Sequence, residues 1–317
     1  MIISASRRTD IPAFYSKWFM NRVKAGFIRV PNPLNAKQIA DVAINCDEVE
    51  AIVFWSKNPA PLIPCLPELD ERGFRYYFQF TLNDYPAALE PNVPSVDSRI
   101  STFRALADLL GPRRVIWRYD PIIVSNYTPV EYHKERFAYI ADQLKGKTSR
   151  VMISFVDLYQ KTERRLVKLE KEEGYQFQRQ SSFDENSSLA RYLATIAKEN
   201  AMEIFTCAEE RDYSQSGIRS GMCIDNRLIA DLWSLTVNDR KDPSQRECCL
   251  CRQSNDIGMN NSCLHGCVYC YATTSLEIAT RHFSQHDPNS PSLFGSLDAK
   301  QTASKHDGSF NQQKRLL

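Results

Sequence analysis

The chain is expected to adopt an α/β fold, a full or partial (β/α) barrel of the TIM type carrying a C-terminal cysteine-rich extension. Three observations lead there. Short apolar runs rich in β-branched and aromatic residues alternate with longer amphipathic stretches through the first two thirds of the chain. Polar and charged residues recur directly after each of those runs. Eight of the ten cysteines lie at or beyond Cys207, where the alternation ends.

Near-continuous apolar strands separated by helices imply a parallel sheet covered by helices. Strands are expected at 1–6, 51–55, 76–82, 114–119, 150–156 and 203–207, with a further short one at 27–30. Helices are expected at 12–25, 36–43, 61–72, 96–110, 129–144 and 187–200. With six or seven strands in sequence order, a closed or partial barrel is favoured over an open, doubly wound sheet. Beyond Glu210 come a loop at 212–221, a short helix at 224–235 and a polar linker at 238–245. The expected organisation is therefore a barrel over 1–210, a cysteine-rich segment over 211–280 closing its mouth, and a tail over 281–317. That tail is rich in polar residues and is expected to be disordered, apart from a docking segment around Ser292, Leu293 and Phe294.

In a barrel, active sites form where the C-terminal ends of the strands feed their loops. Arg7 and Arg8 follow the first expected strand and Lys57 follows the second. Arg118 and Asp120 sit at the fourth, Asp157 at the fifth, and Glu209 with Glu210 at the sixth. Charged side chains at such places are costly to bury unless they line a pocket or pair there. A charged pocket at one end of the sheet follows.

Composition excludes several classes. The 317 residues carry a net charge of +2 and a charged fraction of 25%, without the basic face of a dedicated nucleic-acid binder. No apolar run approaches the ~20 residues that span a bilayer. The N-terminus runs from Met1 through a strand-like stretch into Arg7 and Arg8, which is not the pattern of a signal peptide. A cytoplasmic protein with no membrane partner is expected.

Ten cysteines in such a compartment point to metal rather than disulfides. Cys46 and Cys65 stand alone and read as small buried hydrophobes. Cys263, Cys267 and Cys270 are set at C-x3-C-x2-C spacing, with Gly266 and the aromatic Tyr269 inside the string. Three thiolates on a [4Fe-4S] cluster leave one iron without a protein ligand, whereas four would complete a tetrahedral zinc site. His265, within the loop, is expected to hydrogen-bond a cluster sulfur rather than bind metal. A second set, Cys207, Cys223, Cys249 and Cys251, can form a closed site, read as a second cluster with zinc as the direct competitor. Cys248 is the odd one, because adjacent side chains rarely both reach one small metal site.

The C-x3-C-x2-C string resembles the signature of the radical S-adenosylmethionine enzymes. Members of that superfamily usually carry it after the first barrel strand, whereas here it lies beyond residue 260. It is therefore expected to fold back over the mouth, near Arg7 and Glu209. Further strings carry a wider likeness: Ser4-Ala5-Ser6-Arg7-Arg8-Thr9-Asp10-Ile11-Pro12, Val53-Phe54-Trp55-Ser56-Lys57-Asn58-Pro59, Val115-Ile116-Trp117-Arg118-Tyr119-Asp120-Pro121, Ile153-Ser154-Phe155-Val156-Asp157 and Cys207-Ala208-Glu209-Glu210. Together with the late cysteines these resemble, over about residues 1–275, a bacterial domain-of-unknown-function family numbered eighteen forty-eight. The resemblance implies that seven cysteines recur, which favours Cys249 over Cys248.

The resemblance further implies an enzyme in which Cys263, Cys267 and Cys270 hold a [4Fe-4S] cluster and S-adenosylmethionine binds its open iron. A reductant such as flavodoxin or ferredoxin would supply the electron. Arg7, Arg8, Lys57 and Arg118 are then candidates for the methionine carboxylate or an anionic substrate. Asp120, Asp157, Glu209 and Glu210 are candidates for its ammonium or ribose hydroxyls, with Tyr269 beside the cluster. A rival reading is a metal-stabilised protein that binds nucleic acid or nucleotide without radical chemistry, stacking bases on Trp55, Tyr77, Phe78, Trp117 and Tyr119. A third, a hydrolase using Asp120, Asp157 and Glu209 around a divalent ion, leaves the cysteine string unexplained.

Overall fold

A computed structural model describes residues 1–32, 35–157, 159–179 and 183–293. In chain order come β1 (Ile2–Ala5), α1 (Ile11–Phe14), α2 (Ser16–Ala25), β2 (Phe27–Asn32), β3 (Asn35–Ala43), β4 (Ala51–Ser56), α3 (Leu66–Glu71) and β5 (Tyr76–Thr81). Next are α4 (Val96–Leu110), β6 (Val115–Ile122), α5 (Val130–Gln143), β7 (Arg150–Phe155), α6 (Gln160–Glu173), α7 (Phe183–Glu199) and β8 (Glu203–Cys207). The short elements β9 (Arg219–Gly221), α8 (Asn226–Trp233), β10 (Asn255–Asp256) and α9 (Leu276–Ser284) complete the described chain.

The fold is mixed α/β around one eight-stranded sheet in the order β10-β1-β4-β5-β6-β7-β8-β9, with every neighbouring pair parallel. Six strands thus follow one another in sequence order, as the alternation implies. The sheet does not close into a barrel. Its two edges are β9 and β10, of three and two residues, which do not pair with each other.

Strand alternation splits the sheet residues between two cores. Ile3, Ile52, Phe54, Tyr76, Phe78, Val115, Trp117, Val151 and Ile153 face the main helical layer, where α2, α4, α5 and α7 bury their apolar stripes. Ile2, Ala51, Val53, Tyr77, Ile116 and Met152 face the other way. That second face is covered by Ile224, Leu228 and Ile229 of the α8 region and by Cys223, Cys249 and Cys251. The cysteine-rich segment is therefore part of the core, not an appendage.

Three segments depart from expectation. Residues 36–43, expected as helix, belong to β3, which pairs antiparallel with β2 through Ile28↔Val42 and Val30↔Ala40. Ile39, Val42 and Ala43 follow the helical spacing i, i+3, i+4, and pairing with β2 overrides it. Helix α6 was not anticipated; its buried stripe is only Thr162, Leu166 and Leu169. Residues 281–284, assigned to a disordered tail, complete α9; beyond it Trp18 Nε1 donates to the Ser290 carbonyl at 3.0 Å, and Ser292 and Leu293 are buried where a docking segment was expected. Phe294 and the rest of that tail lie outside the described residues. No helix of the described residues is long and apolar enough to cross a membrane.

Candidate metal-binding and active site

Two buried carboxylates bring the late cysteine string to the beginning of the fold. Asp10 caps α1 by accepting from Ala13 N at 3.0 Å. It also accepts from Ser56 Oγ and Lys57 N, both at 2.7 Å, at the end of β4. Its remaining partner is His265 Nε2 at 2.8 Å. Asp256 of β10 does the reverse, reaching the end of β1: it accepts from Ser4 Oγ, Ser6 Oγ, Arg7 N and Arg8 Nε at 2.6–3.2 Å. Gly258, two residues on, packs so closely that an added Cβ would lie 2.0 Å from Ser6 Oγ. Only glycine permits that approach.

The loop holding Cys263, Cys267 and Cys270 therefore sits beyond the C-terminal ends of β1, β4 and β5. Further ties fix it there. Asn92 N donates to the His265 carbonyl at 3.1 Å, Asn92 Nδ2 to the Leu264 carbonyl at 2.8 Å, and Val268 N to the Leu89 carbonyl at 3.0 Å. Arg165 of α6 donates to the carbonyls of Cys270 and Thr273. Gly266 takes a positive φ of 71°, which favours glycine. His265, expected to meet a sulfur with its ring, meets Asp10 instead, with Nδ1 3.4 Å from the Asn92 carbonyl.

The three thiols lie in each other's electrostatic field. Burial pushes Cys263 well up, and the charges of Asp10, Cys267 and Cys270 add to this. Burial likewise pushes Cys267 to about 12, with Lys57 opposing and Glu90 and Cys270 reinforcing. Beneath them is a buried ion network. Lys57 Nζ donates to Glu90 Oε1 at 2.7 Å, Tyr269 OH donates to the same carboxylate, and Arg99 stands 3.9 Å from its other oxygen. Burial alone would raise Glu90, but Lys57 and Arg99 outweigh it and hold it below the usual carboxylate range. Sequence reading had missed Asp10, Glu90, Arg99 and Arg165 as parts of this site. Asp10 and Glu90 do follow the first and third strands, which was the available signal.

The second set also assembles. Cys207 Sγ and Cys223 Sγ are 3.0 Å apart, and Cys223 N and Ile224 N point at Cys251 Sγ from 3.4 and 3.5 Å. Donors from neighbouring thiols hold Cys207 and Cys251 low, whereas Cys223 and Cys249 are held high. Cys248 stands apart and donates to the Ala208 carbonyl at 3.2 Å. Among the described residues, no group of three or more His, Cys, Asp or Glu side chains is already arranged to hold a metal ion.

The charged candidates divide. Arg118 Nη1 donates to Cys223 Sγ at 2.7 Å while its other nitrogens hold Asp120. Arg7 pairs with Asp242 at 3.4 Å, and Trp55 lies between the two guanidiniums at 5.5 and 5.0 Å. Burial opposes charge on both arginines, yet the surrounding thiols and carboxylates hold them well above the ordinary range. Glu209 accepts from Phe155 N at 2.8 Å, and burial pushes it to about 7. Arg8 is consumed by Asp256, Asp157 pairs with Arg246 near the surface, and Glu210 is exposed. Of the rings named for base stacking, Tyr77, Phe78, Trp117 and Tyr119 are fully buried and have no face to offer.

The donor chemistry fits the group that the sequence implies. Cys263, Cys267 and Cys270 share one loop whose histidine is occupied elsewhere. Around it, Thr9 Oγ1, Thr273 Oγ1, Arg7 Nη2 and Glu90 Oε2 are buried without hydrogen-bond partners. Two cavities, about 550 and 320 Å³, lie elsewhere, against α2 and against the β8–β9 edge. They touch neither thiol set.

A family match covers residues 2–272, and the chain belongs to that family, described as a domain of unknown function (DUF1848). Searches of curated proteins and of solved structures return no match.

Proposed function

We propose that the protein is a radical S-adenosylmethionine enzyme, its open sheet a partial barrel of that type, in which Cys263, Cys267 and Cys270 hold a [4Fe-4S] cluster. The observation that carries this reading is the Asp10–His265 contact. It supports a location for the three thiols beyond the first strand, although they lie near the end of the chain. A cluster held by these three thiols with one iron open would supply one-electron reductive cleavage of the S-adenosylmethionine C–S bond, the electron coming from a flavodoxin- or ferredoxin-type donor and the products being methionine and a 5′-deoxyadenosyl radical for hydrogen abstraction from substrate.

The chain's own residues then bind, orient and exclude water. Arg7, whose Nη2 is buried without a hydrogen-bond partner, is assigned to the methionine carboxylate. Asp120 and Glu209 are assigned to the ammonium or the ribose hydroxyls. Glu209, with a carboxyl near 7, can hold a proton there at neutral pH. Tyr269, Lys57 and Glu90 form a dry floor beside Cys267.

Anaerobically reconstituted protein is expected to be brown, with an electron paramagnetic resonance signal that changes when S-adenosylmethionine is added. Reduced protein should release 5′-deoxyadenosine, and Cys267→Ala should abolish that release. Turnover that survives the substitution overturns the assignment.

A further inference from the structure

In the second set of thiols one pair of sulfurs is already in contact. Cys207 ends β8, Cys223 follows β9, and Cys249 and Cys251 lie between α8 and β10. Cys207 Sγ and Cys223 Sγ are 3.0 Å apart, and the Cys223 N–H points at Cys251 Sγ from 3.4 Å. Thiolates bound tetrahedrally to one zinc ion at ~2.3 Å stand about 3.8 Å from each other. On the corners of a four-iron cube they stand roughly 6 Å apart. Small rotations open the observed arrangement to the first spacing. The second would require near doubling, in a core face filled by Tyr77, Ile116 and Met152.

Charge and hydrogen bonding agree with a thiolate site. Four thiolates around a divalent ion carry a net charge of −2. Arg118 donates to Cys223 Sγ at 2.7 Å, and Arg7 lies within the field of Cys249 and Cys251. Each arginine is shared with a carboxylate, Asp120 and Asp242 respectively, so the compensation is partial. Backbone N–H groups of Cys223 and Ile224 point at Cys251 Sγ, the kind of outer contact that orients metal ligands. Cys223, Cys249 and Cys251 are buried against the face of the sheet covered by α8, with Cys207 beside them at the end of β8.

We propose that Cys207, Cys223, Cys249 and Cys251 form a structural zinc site rather than a second iron–sulfur cluster. Its role is to fasten the segment that carries β10, four residues beyond Cys251, onto the edge of β1, so that the loop at 263–270 is delivered to its place. The assignment goes beyond the reading above and stands without it.

The test is metal and sulfide analysis of the full chain, anaerobically reconstituted with both iron and zinc present, and of a Cys263→Ala/Cys267→Ala/Cys270→Ala variant. The variant is expected to be colourless and to keep about one zinc per chain, and cobalt in its place should give the absorption of a tetrahedral four-thiolate site. A brown variant with about four irons and matching sulfide overturns the proposal. So does a variant in which zinc is absent and all four thiols react freely. Should that variant not fold, the wild-type protein decides. About four irons with one zinc supports the assignment, and about eight irons without zinc overturns it. A colourless wild-type protein holding one zinc would remove the radical reading and leave this one intact. Arg118→Met should speed zinc loss to a chelator about 10–100-fold, and an unchanged rate would count against the site.

Discussion

Asp10 Oδ2 and His265 Nε2 lie 2.8 Å apart, although 255 residues separate them in the chain. The same carboxylate caps α1 and receives the end of β4, so one side chain joins the first strand, the second sheet strand and the cysteine loop. A carboxylate with four donors is satisfied only as an acceptor. In Asp10→Asn, the amide nitrogen would face Lys57 N–H and the histidine. We expect a loss of about 2–4 kcal/mol in denaturant unfolding, together with reduced iron per chain after reconstitution. Equal stability and metal content would show that the loop is held by other means.

Glu90 is buried with Lys57 and Arg99, so removing its charge leaves two cations facing each other in the core. Glu90→Gln is expected to lower stability by about 3–5 kcal/mol. The pair Lys57→Met/Glu90→Leu should lose less, because only Arg99 is left without its carboxylate, and it keeps its hydrogen bonds to the Asn83 and Pro94 carbonyls. A double variant as unstable as the sum of its two singles would contradict this network.

Gly258 leaves no room for a side chain against Ser6. Gly258→Ala should force β10 away from β1, at a cost of about 1–3 kcal/mol, with faster amide exchange at Ile257, whose N–H bonds the Ser4 carbonyl at 3.0 Å. Unaltered exchange at that amide would argue against the close approach.

His133 is buried between Tyr119 OH and the Ile123 carbonyl, and burial lowers its pKa to about 4. A histidine with a depressed folded value binds fewer protons folded than unfolded between about pH 4 and 6.5. Stability is therefore present above that window and is lost as pH falls through it, by up to about 3 kcal/mol. His133→Phe should flatten this limb of the stability–pH curve, even if the variant starts from a lower plateau.

Much of the sheet was legible because its strands are apolar on both faces. Expected strands at 51–55, 76–82, 150–156 and 203–207 coincide with β4, β5, β7 and β8 within a residue or two, since Phe54, Tyr77, Phe78, Met152 and Ile153 are all buried. Segment 36–43 reads as helix because Ile39, Val42 and Ala43 follow the spacing i, i+3, i+4. Whether it forms helix or strand depends on β2 lying alongside, which its local pattern does not encode.

The sequence by itself determined the alternating α/β units, their order, and the kinds of side chain at each strand end. It also placed eight cysteines at or beyond Cys207, three of them at C-x3-C-x2-C spacing. Tertiary structure decided that the sheet stays open, because edge pairing depends on strands only two and three residues long. It also decided which charges are free. Arg8 is consumed by Asp256 and Lys57 by Glu90, partners 248 and 33 residues away. The distance between sulfurs, which separates one ion from a four-iron cube, likewise exists only once the chain is folded. Such contacts are set by packing of distant segments against one another, and local periodicity carries no record of them.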